Sequence, residues 1–226
     1  MYLLIFIFFL LISWLVQRKM KRTMAEGAEL PSANQISGAE AAQMMLRDNG
    51  IYDVQINCIP GDFTDHYDPK HRTVNLSEQV FYGRNVTAVS VATHEVGHAV
   101  QHAQAYKPLQ LRSAMVPVYN VSGKLLNAVF FLSIFGAFAL GLNYQLLLTV
   151  VCGAYFVMTA FSFITLPVEF DASHRALQWV SNRGVVRGTD NAYAKKALNW
   201  AAMTYVVSAL ASLSYLLYYL SALNRD

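Results

Sequence analysis

Residues 90 to 102, SVATHEVGHAVQH, carry three histidines and a glutamate in a chain with six histidines among its 226 residues. His94 and His98 are four apart, so on a helix their imidazoles stack on successive turns and can reach one ion. Zinc accepts neutral imidazole nitrogens, and a catalytic site keeps a position for water beside three protein ligands. Glu95 lies next to the first imidazole on the same side, where it can take a proton from that water.

The pattern is the H-E-x-x-H arrangement of metalloproteases. It fits a helix running from Asn85, as N-cap, through NVTAVSVATHEVGHAVQHAQAY without proline. At 100° per residue Val89, Ala92, Val96, Val100 and Ala103 share one face, and His94, Glu95, His98 and His102 take the opposite one. Gly97 lowers helix propensity by up to about 1 kcal/mol relative to alanine; it is either a loose position or a place where another backbone comes close. His102 lies about 12 Å along the axis from His94, too far for one ion also held by His98. It is expected in a supporting or substrate-facing role, or as a plain surface histidine. The third ligand must come from elsewhere, and Glu169 in LPVEFDASHRALQWVSNRG is the candidate, on a helix expected to start near Pro167 and stop at Gly184.

The composition sets the surroundings. Hydrophobic residues make up 55% of the chain and charged residues 14%, far below the roughly one quarter charged in soluble domains. Four apolar runs account for this: Tyr2 to Val16, Leu125 to Leu142, Leu146 to Leu166 and Trp200 to Leu223. A bilayer core takes about 20 such residues in a helix. The first run has no basic stretch before it, and RKMKR follows directly with no small-residue cleavage site, so it reads as an uncleaved anchor. Basic residues crowd the segments between runs one and two and between runs three and four, which places both in the cytosol and both termini outside. The net charge of +3 is then a topology signal, and no basic patch interleaved with aromatics suggests nucleic acid. Cys58 and Cys152 are expected as two free buried thiols.

Between the first two runs, Ser37 and Glu40 form a capping box for a short helix closed by Gly50. Asp53 to Ile59 alternates with period two, placing Val54, Ile56 and Cys58 on one face, and Arg72 to Ser77 reads as a second short strand. The intervening Asp62, Asp65, His66, Asp68 and His71 fit a solvated turn of a hairpin, and the spacing of a calcium loop is missing.

Three stretches, HEVGHAVQHAQAYKPLQLR, DHYDPKHRTVNLS and LPVEFDAS, resemble the YugP-type membrane zinc peptidases, the neutral zinc metallopeptidases of bacteria, and the likeness spans nearly the whole chain. The resemblance implies a bacterial membrane protein with a gluzincin-like site: one zinc ion on His94, His98 and Glu169, with Glu95 as base. Related membrane gluzincins place a histidine-orienting aspartate four residues after that glutamate. Here the position is Ser173, with Asp171 and His174 nearby.

The chain is thus expected to be mostly helical α+β, a multi-pass membrane protein with a small zincin-like cytosolic domain containing a short β-hairpin. The parts are an anchor (1–17), a catalytic domain (18–118), a two-span hairpin (119–166), a cytosolic helix giving the third ligand (167–199), and a last span with its tail (200–226). The expected activity is peptide-bond hydrolysis of a peptide or protein substrate at the cytosolic membrane face. Substrate would add as a strand along Thr73 to Leu76, with Ser173, His174, His102 and Tyr82 as supporting or electrophilic candidates. Two other readings stay open: an intramembrane protease of the site-2 type with Val86 to Tyr106 as a span, and a non-proteolytic adaptor or chaperone stabilised by zinc.

Overall fold

The computed structural model describes residues 2–135 and 143–224; the last part of the second apolar run, 136–142, lies outside them. The residues divide into two compact units. The first comprises 2–14, 110–135, 143–166 and 204–224 and is built from the apolar stretches of four long helices. The second comprises Leu15–Leu109 and Pro167–Met203.

In chain order the elements are α1 (Tyr2–Ala28), a short 3-10 turn at Ala33–Gln35, α2 (Gly38–Asp48), β1 (Gln55–Ile59), β2 (His66–Asp68), β3 (Thr73–Ser77), α3 (Glu78–Tyr82), α4 (Val86–Ala103), α5 (Lys107–Phe135), α6 (Tyr144–Arg183) and α7 (Asn191–Leu223). Four of these, α1, α5, α6 and α7, are long and apolar enough to cross a membrane. The chain is therefore mostly helical, with one small sheet among the described residues.

Within the second unit the local chemistry follows the residues. Ser37 Oγ accepts from the Glu40 backbone N–H at 3.2 Å while the Glu40 carboxylate accepts from the Ser37 N–H at 2.8 Å. This capping box satisfies two donors that the start of α2 would otherwise leave open. The Asn85 side chain caps α4 by accepting from the Ala88 N–H at 2.9 Å. The core gathers Met45 and Leu46 of α2, Val74 and Leu76 of β3, Val89, Val96 and Val100 of α4, and Trp179 and Val180 of α6. Burial extends to the other side of α4, because Glu95 and His98 are buried as well. The face assigned to chemistry is therefore not a solvent face.

The sheet has the order β1-β3-β2. β1 runs parallel to β3, pairing Gln55 with Thr73 and Ile59 with Ser77, whereas β2 pairs antiparallel with β3. The hairpin expected between Asp53–Ile59 and Arg72–Ser77 is therefore not formed: those two stretches are parallel neighbours, and the antiparallel pair is β2 with β3. Alternation specifies which face is buried but carries no information about the partner or its direction. β3 is the central strand, so both its edges are taken and a substrate cannot add along Thr73 to Leu76; the edges of the sheet are β1 and β2. Because β1 lies at an edge, Cys58 is exposed, contrary to expectation, while Cys152 is buried.

The stretch expected as a solvated turn is partly strand, since His66 and Asp68 belong to β2, and its acids are held by local bonds. Asp65 Oδ1 accepts from the Ser77 N–H at 2.7 Å and from its hydroxyl at 3.0 Å. Asp68 accepts from the Lys70 N–H at 2.8 Å and from the His71 ring at 2.6 Å, and the His71 bond holds its carboxyl below the usual range.

Pro167 does not start a helix. It lies inside α6, which continues unbroken to Arg183. An interior proline costs about 3 kcal/mol in an isolated helix, but the turns after it bury Val168, Ala172, Ala176 and Val180, spaced four apart, in the second unit. That burial offsets the local penalty. The stop is as expected: Gly184 takes φ +63°, a left-handed conformation that glycine adopts without a Cβ clash.

Candidate metal centre

The two halves of the centre come from α4 and from the stretch of α6 after Pro167. Gly97 sets their separation. A Cβ there would stand 2.7 Å from the Ala172 carbonyl oxygen and 3.1 Å from the Ala172 Cα. The sequence left open whether Gly97 was a loose position or a close approach of another backbone, and it is the second. Further along α6, Trp179 Nε1 donates to Asp48 Oδ2 at 2.7 Å and Arg183 Nε donates to the same oxygen at 2.6 Å, fastening the end of α2 to α6. The Arg183 guanidinium, helped by Trp179, keeps the Asp48 carboxyl below its ordinary range against the effect of burial.

This packing brings together His94, His98 and Glu169, whose ligand atoms all lie within 4.8 Å of one another. His94 Nε2 is 3.4 Å and His98 Nε2 3.6 Å from Glu169 Oε2. The rings of His94 and His98 sit 4.9 Å apart, nearly perpendicular. Glu169 is only 2% exposed. Burial disfavours a charged imidazole at His98, yet the facing Glu169 carboxylate outweighs it and pushes the pKa of His98 up.

The donor set fits zinc. Two imidazole nitrogens and a carboxylate oxygen are the ligand types of a catalytic zinc site, and bonds of about 2.0–2.2 Å in a tetrahedron put neighbouring ligand atoms roughly 3.3–3.6 Å apart. The two observed separations of 3.4 and 3.6 Å match that edge.

Glu95 is buried, and its Oε2 accepts from the backbone N–H of Tyr67 at 3.1 Å. That bond ties the edge strand β2 to α4. Tyr67 is anchored further by its hydroxyl, 2.7 Å from His102 Nδ1. His102 therefore supports β2 and is not part of the three-donor group. Ser173 Oγ lies 3.1 Å from His94 Nδ1, the place expected of an orienting group. His174 and Tyr82 are exposed on α6 and α3. The sequence reading missed two groups. One is the Tyr67 N–H, a backbone donor with no signature in residue type. The other is Gln101, fully buried with its Oε1 3.0 Å from His98 Nδ1; its position three residues after a candidate ligand histidine was the available signal.

A helical chain with four candidate spans and a buried donor set of two imidazoles and one carboxylate is of the kind that membrane metallopeptidases use. The comparisons agree. Residues 2–224 match the family described as "Putative neutral zinc metallopeptidase", and the chain belongs to that family. It is 40% identical over 206 residues to "Putative membrane protease YugP" of Bacillus subtilis (strain 168), covering 91% of this chain and 89% of that protein. No solved structure matches.

Proposed function

We propose that the protein is a membrane-bound zinc metalloendopeptidase whose active centre lies at the cytosolic face of the bilayer. The observation that carries this reading is the convergence of His94, His98 and Glu169 beside Glu95, a buried carboxylate held by the Tyr67 N–H. Zinc, when bound, supplies Lewis acidity that polarises a peptide carbonyl and makes water nucleophilic near neutral pH. His94, His98 and Glu169 hold it. Glu95 takes the proton from the attacking water and passes it to the leaving amine. The Tyr67 N–H fixes the direction in which that carboxylate points. The substrate lies extended along β2, the sheet edge whose Tyr67 N–H reaches Glu95, where the main-chain groups left open give affinity without sequence specificity.

The position of Glu169 along α6 supports this location. The apolar run ends at Leu166, and Glu169 lies three residues on, about 4.5 Å of helical rise. The basic residues flanking the runs support a cytosolic position for this end, with both termini outside. Peptides or membrane proteins near the surface are the substrates that such a position serves, and a bacterial cell membrane is the setting.

The two other readings are weaker. As an intramembrane span, α4 would need an apolar surface toward lipid, but it is buried in the core of its own unit and is not among the four long apolar helices. A purely structural zinc site closes with four protein ligands and has no use for a buried carboxylate poised as a base; here three donors converge.

The test is Glu95→Gln in the full chain purified in detergent. Zinc content is expected to stay at one ion per chain, and hydrolysis of a fluorogenic peptide library to fall by at least about 10³-fold, within the range of lost acid–base catalysis. Cleavage retained by that variant would defeat the mechanism.

A further inference from the structure

Gln101 is completely buried, and its two polar ends can be assigned from what they face. Its Nε2 lies 2.7 Å from the Val168 carbonyl oxygen and 2.8 Å from Asp171 Oδ2. Both neighbours only accept, so the amide nitrogen must be the end that points at them. The opposite end, Oε1, is then the atom 3.0 Å from His98 Nδ1. A carbonyl oxygen only accepts, so it requires a proton on Nδ1 and leaves the Nε2 lone pair of His98 aimed toward Glu169.

The amide is itself held in place. Arg175 Nε donates to Asp171 Oδ2 at 2.5 Å, and the same guanidinium donates to Gln104 Oε1 at 2.6 Å. The result is a chain from Arg175 through Asp171 and Gln101 to His98, linking α6 to α4. On the other ligand, the Ser173 hydroxyl faces His94 Nδ1 at 3.1 Å and can accept from it. Both ligand histidines therefore have their distal nitrogens occupied, one by an amide and one by a hydroxyl.

We propose that Gln101 is a positioning residue for the zinc centre: it selects the His98 tautomer that can bind metal and transmits the Asp171 carboxylate to that ring through a neutral amide. This rests on the zinc reading of His94, His98 and Glu169. A carboxylate acting directly on imidazole raises the basicity of the ligand. The amide relay keeps the orientation while placing the charge one residue further back. Gln101 and Ser173 together do the orienting that a single carboxylate does elsewhere.

The test compares zinc dissociation constants, by competition with a chromophoric chelator, for the full chain in detergent. The proteins are wild type, Gln101→Leu and the double variant Gln101→Glu with Asp171→Asn. Leucine removes the acceptor for His98 Nδ1–H, so zinc should bind about 10- to 100-fold more weakly, the usual effect of losing such a partner. The double variant exchanges the amide and the carboxylate between the two positions. The carboxylate introduced on α4 again offers His98 an oxygen and takes a donor from the amide introduced on α6. Its other oxygen must turn from the Val168 carbonyl, which loses its donor, a cost read in the Tm of the metal-free protein and not in the choice of His98 tautomer. The zinc affinity of the double variant should return to within about threefold of wild type on the scale of that partner effect.

A merely structural Gln101 would predict something else: both variants weakened alike, in step with a lowered Tm of the metal-free protein. That pattern, or wild-type affinity in Gln101→Leu, overturns the proposal. If Gln101→Leu does not fold, the double variant decides alone: affinity near wild type sustains the proposal, and a loss of tenfold or more overturns it. Failure of the wild type to bind zinc would instead defeat the zinc reading, and this inference with it.

Discussion

Replacing Gly97 by alanine sets two opposing effects against each other. In an exposed helix interior, alanine is favoured over glycine by up to about 1 kcal/mol. Here the added Cβ meets the Ala172 carbonyl oxygen at 2.7 Å, where ordinary contact begins near 3.4 Å. The obstacle is backbone, so no rotamer change relieves it and Ala172→Gly cannot rescue it. The post-proline stretch of α6 must recoil from α4 by about 0.7 Å, and forced overpacking of this kind costs about 1–3 kcal/mol. Net destabilisation of about 0–3 kcal/mol follows.

The larger effect is on the centre. Glu169 stands three residues before Ala172 on the same rigid helix, so the recoil can widen its 3.4 and 3.6 Å separations from the histidines by a similar amount. Metal sites tolerate about 0.2 Å. Zinc affinity should fall by about 10- to 100-fold, of the order seen when a ligand's support is lost. The assay is chelator competition together with thermal unfolding, with Gly123→Ala as control because a Cβ there meets nothing within 4 Å. Zinc affinity within twofold of wild type, with a raised Tm, would refute the claim that this contact sets the geometry.

Removing a ligand should act more strongly: Glu169→Gln and His98→Ala are each expected to weaken zinc binding more than about 100-fold, beyond the usual range for a supporting partner, as read by metal content after dialysis. Bound zinc stabilises the native state by mass action, about 2.7 kcal/mol at a hundred times its Kd; a chelator should therefore lower the Tm of the wild type and leave that of His98→Ala unchanged. Tyr67→Phe removes the hydroxyl bonded to His102 but keeps the ring and the N–H to Glu95, so kcat should fall less than about fivefold, within the modest worth of one hydrogen bond, while Glu95→Gln abolishes turnover. Asp48 supplies a pH test. Its carboxyl is held down by Arg183 and Trp179, so its stabilisation is complete above the unfolded value, about 3.9, and is lost as pH falls through the lower folded value. The Tm advantage of wild type over Asp48→Asn should be full at about pH 6 and shrink below about pH 4; an advantage independent of pH would show that the pair is not what matters.

The parts of the centre that were legible in the sequence are those set by short-range geometry. His94, Glu95 and His98 share a face because about 3.6 residues make a turn, and the caps at Ser37 and Asn85 are read from neighbouring residues. The membrane-length runs follow from composition. Pairing was not legible. The alternation of Asp53 to Ile59 marked a strand but neither its partner nor all of its buried side chains: Cys58 is exposed, and the strand lies parallel to Thr73–Ser77, with His66–Asp68 completing the sheet. Pro167 carried a local signal to begin a helix, and packing of the residues after it overrode that signal.

By itself the sequence determined the chemistry available: two imidazoles and a carboxylate in one coil, an acid 71 residues beyond the nearer histidine, and apolar runs of membrane length. Tertiary structure alone decided that these groups meet. Gly97 lets the backbone of Ala172 approach, which brings Glu169 to His94 and His98. It also decided what orients them, because the Tyr67 N–H on Glu95 and the Gln101 amide on His98 act through backbone groups and buried partners up to 70 residues apart. Residue type announces what a group can donate or accept, but which partner it finds depends on the packing of elements distant along the chain.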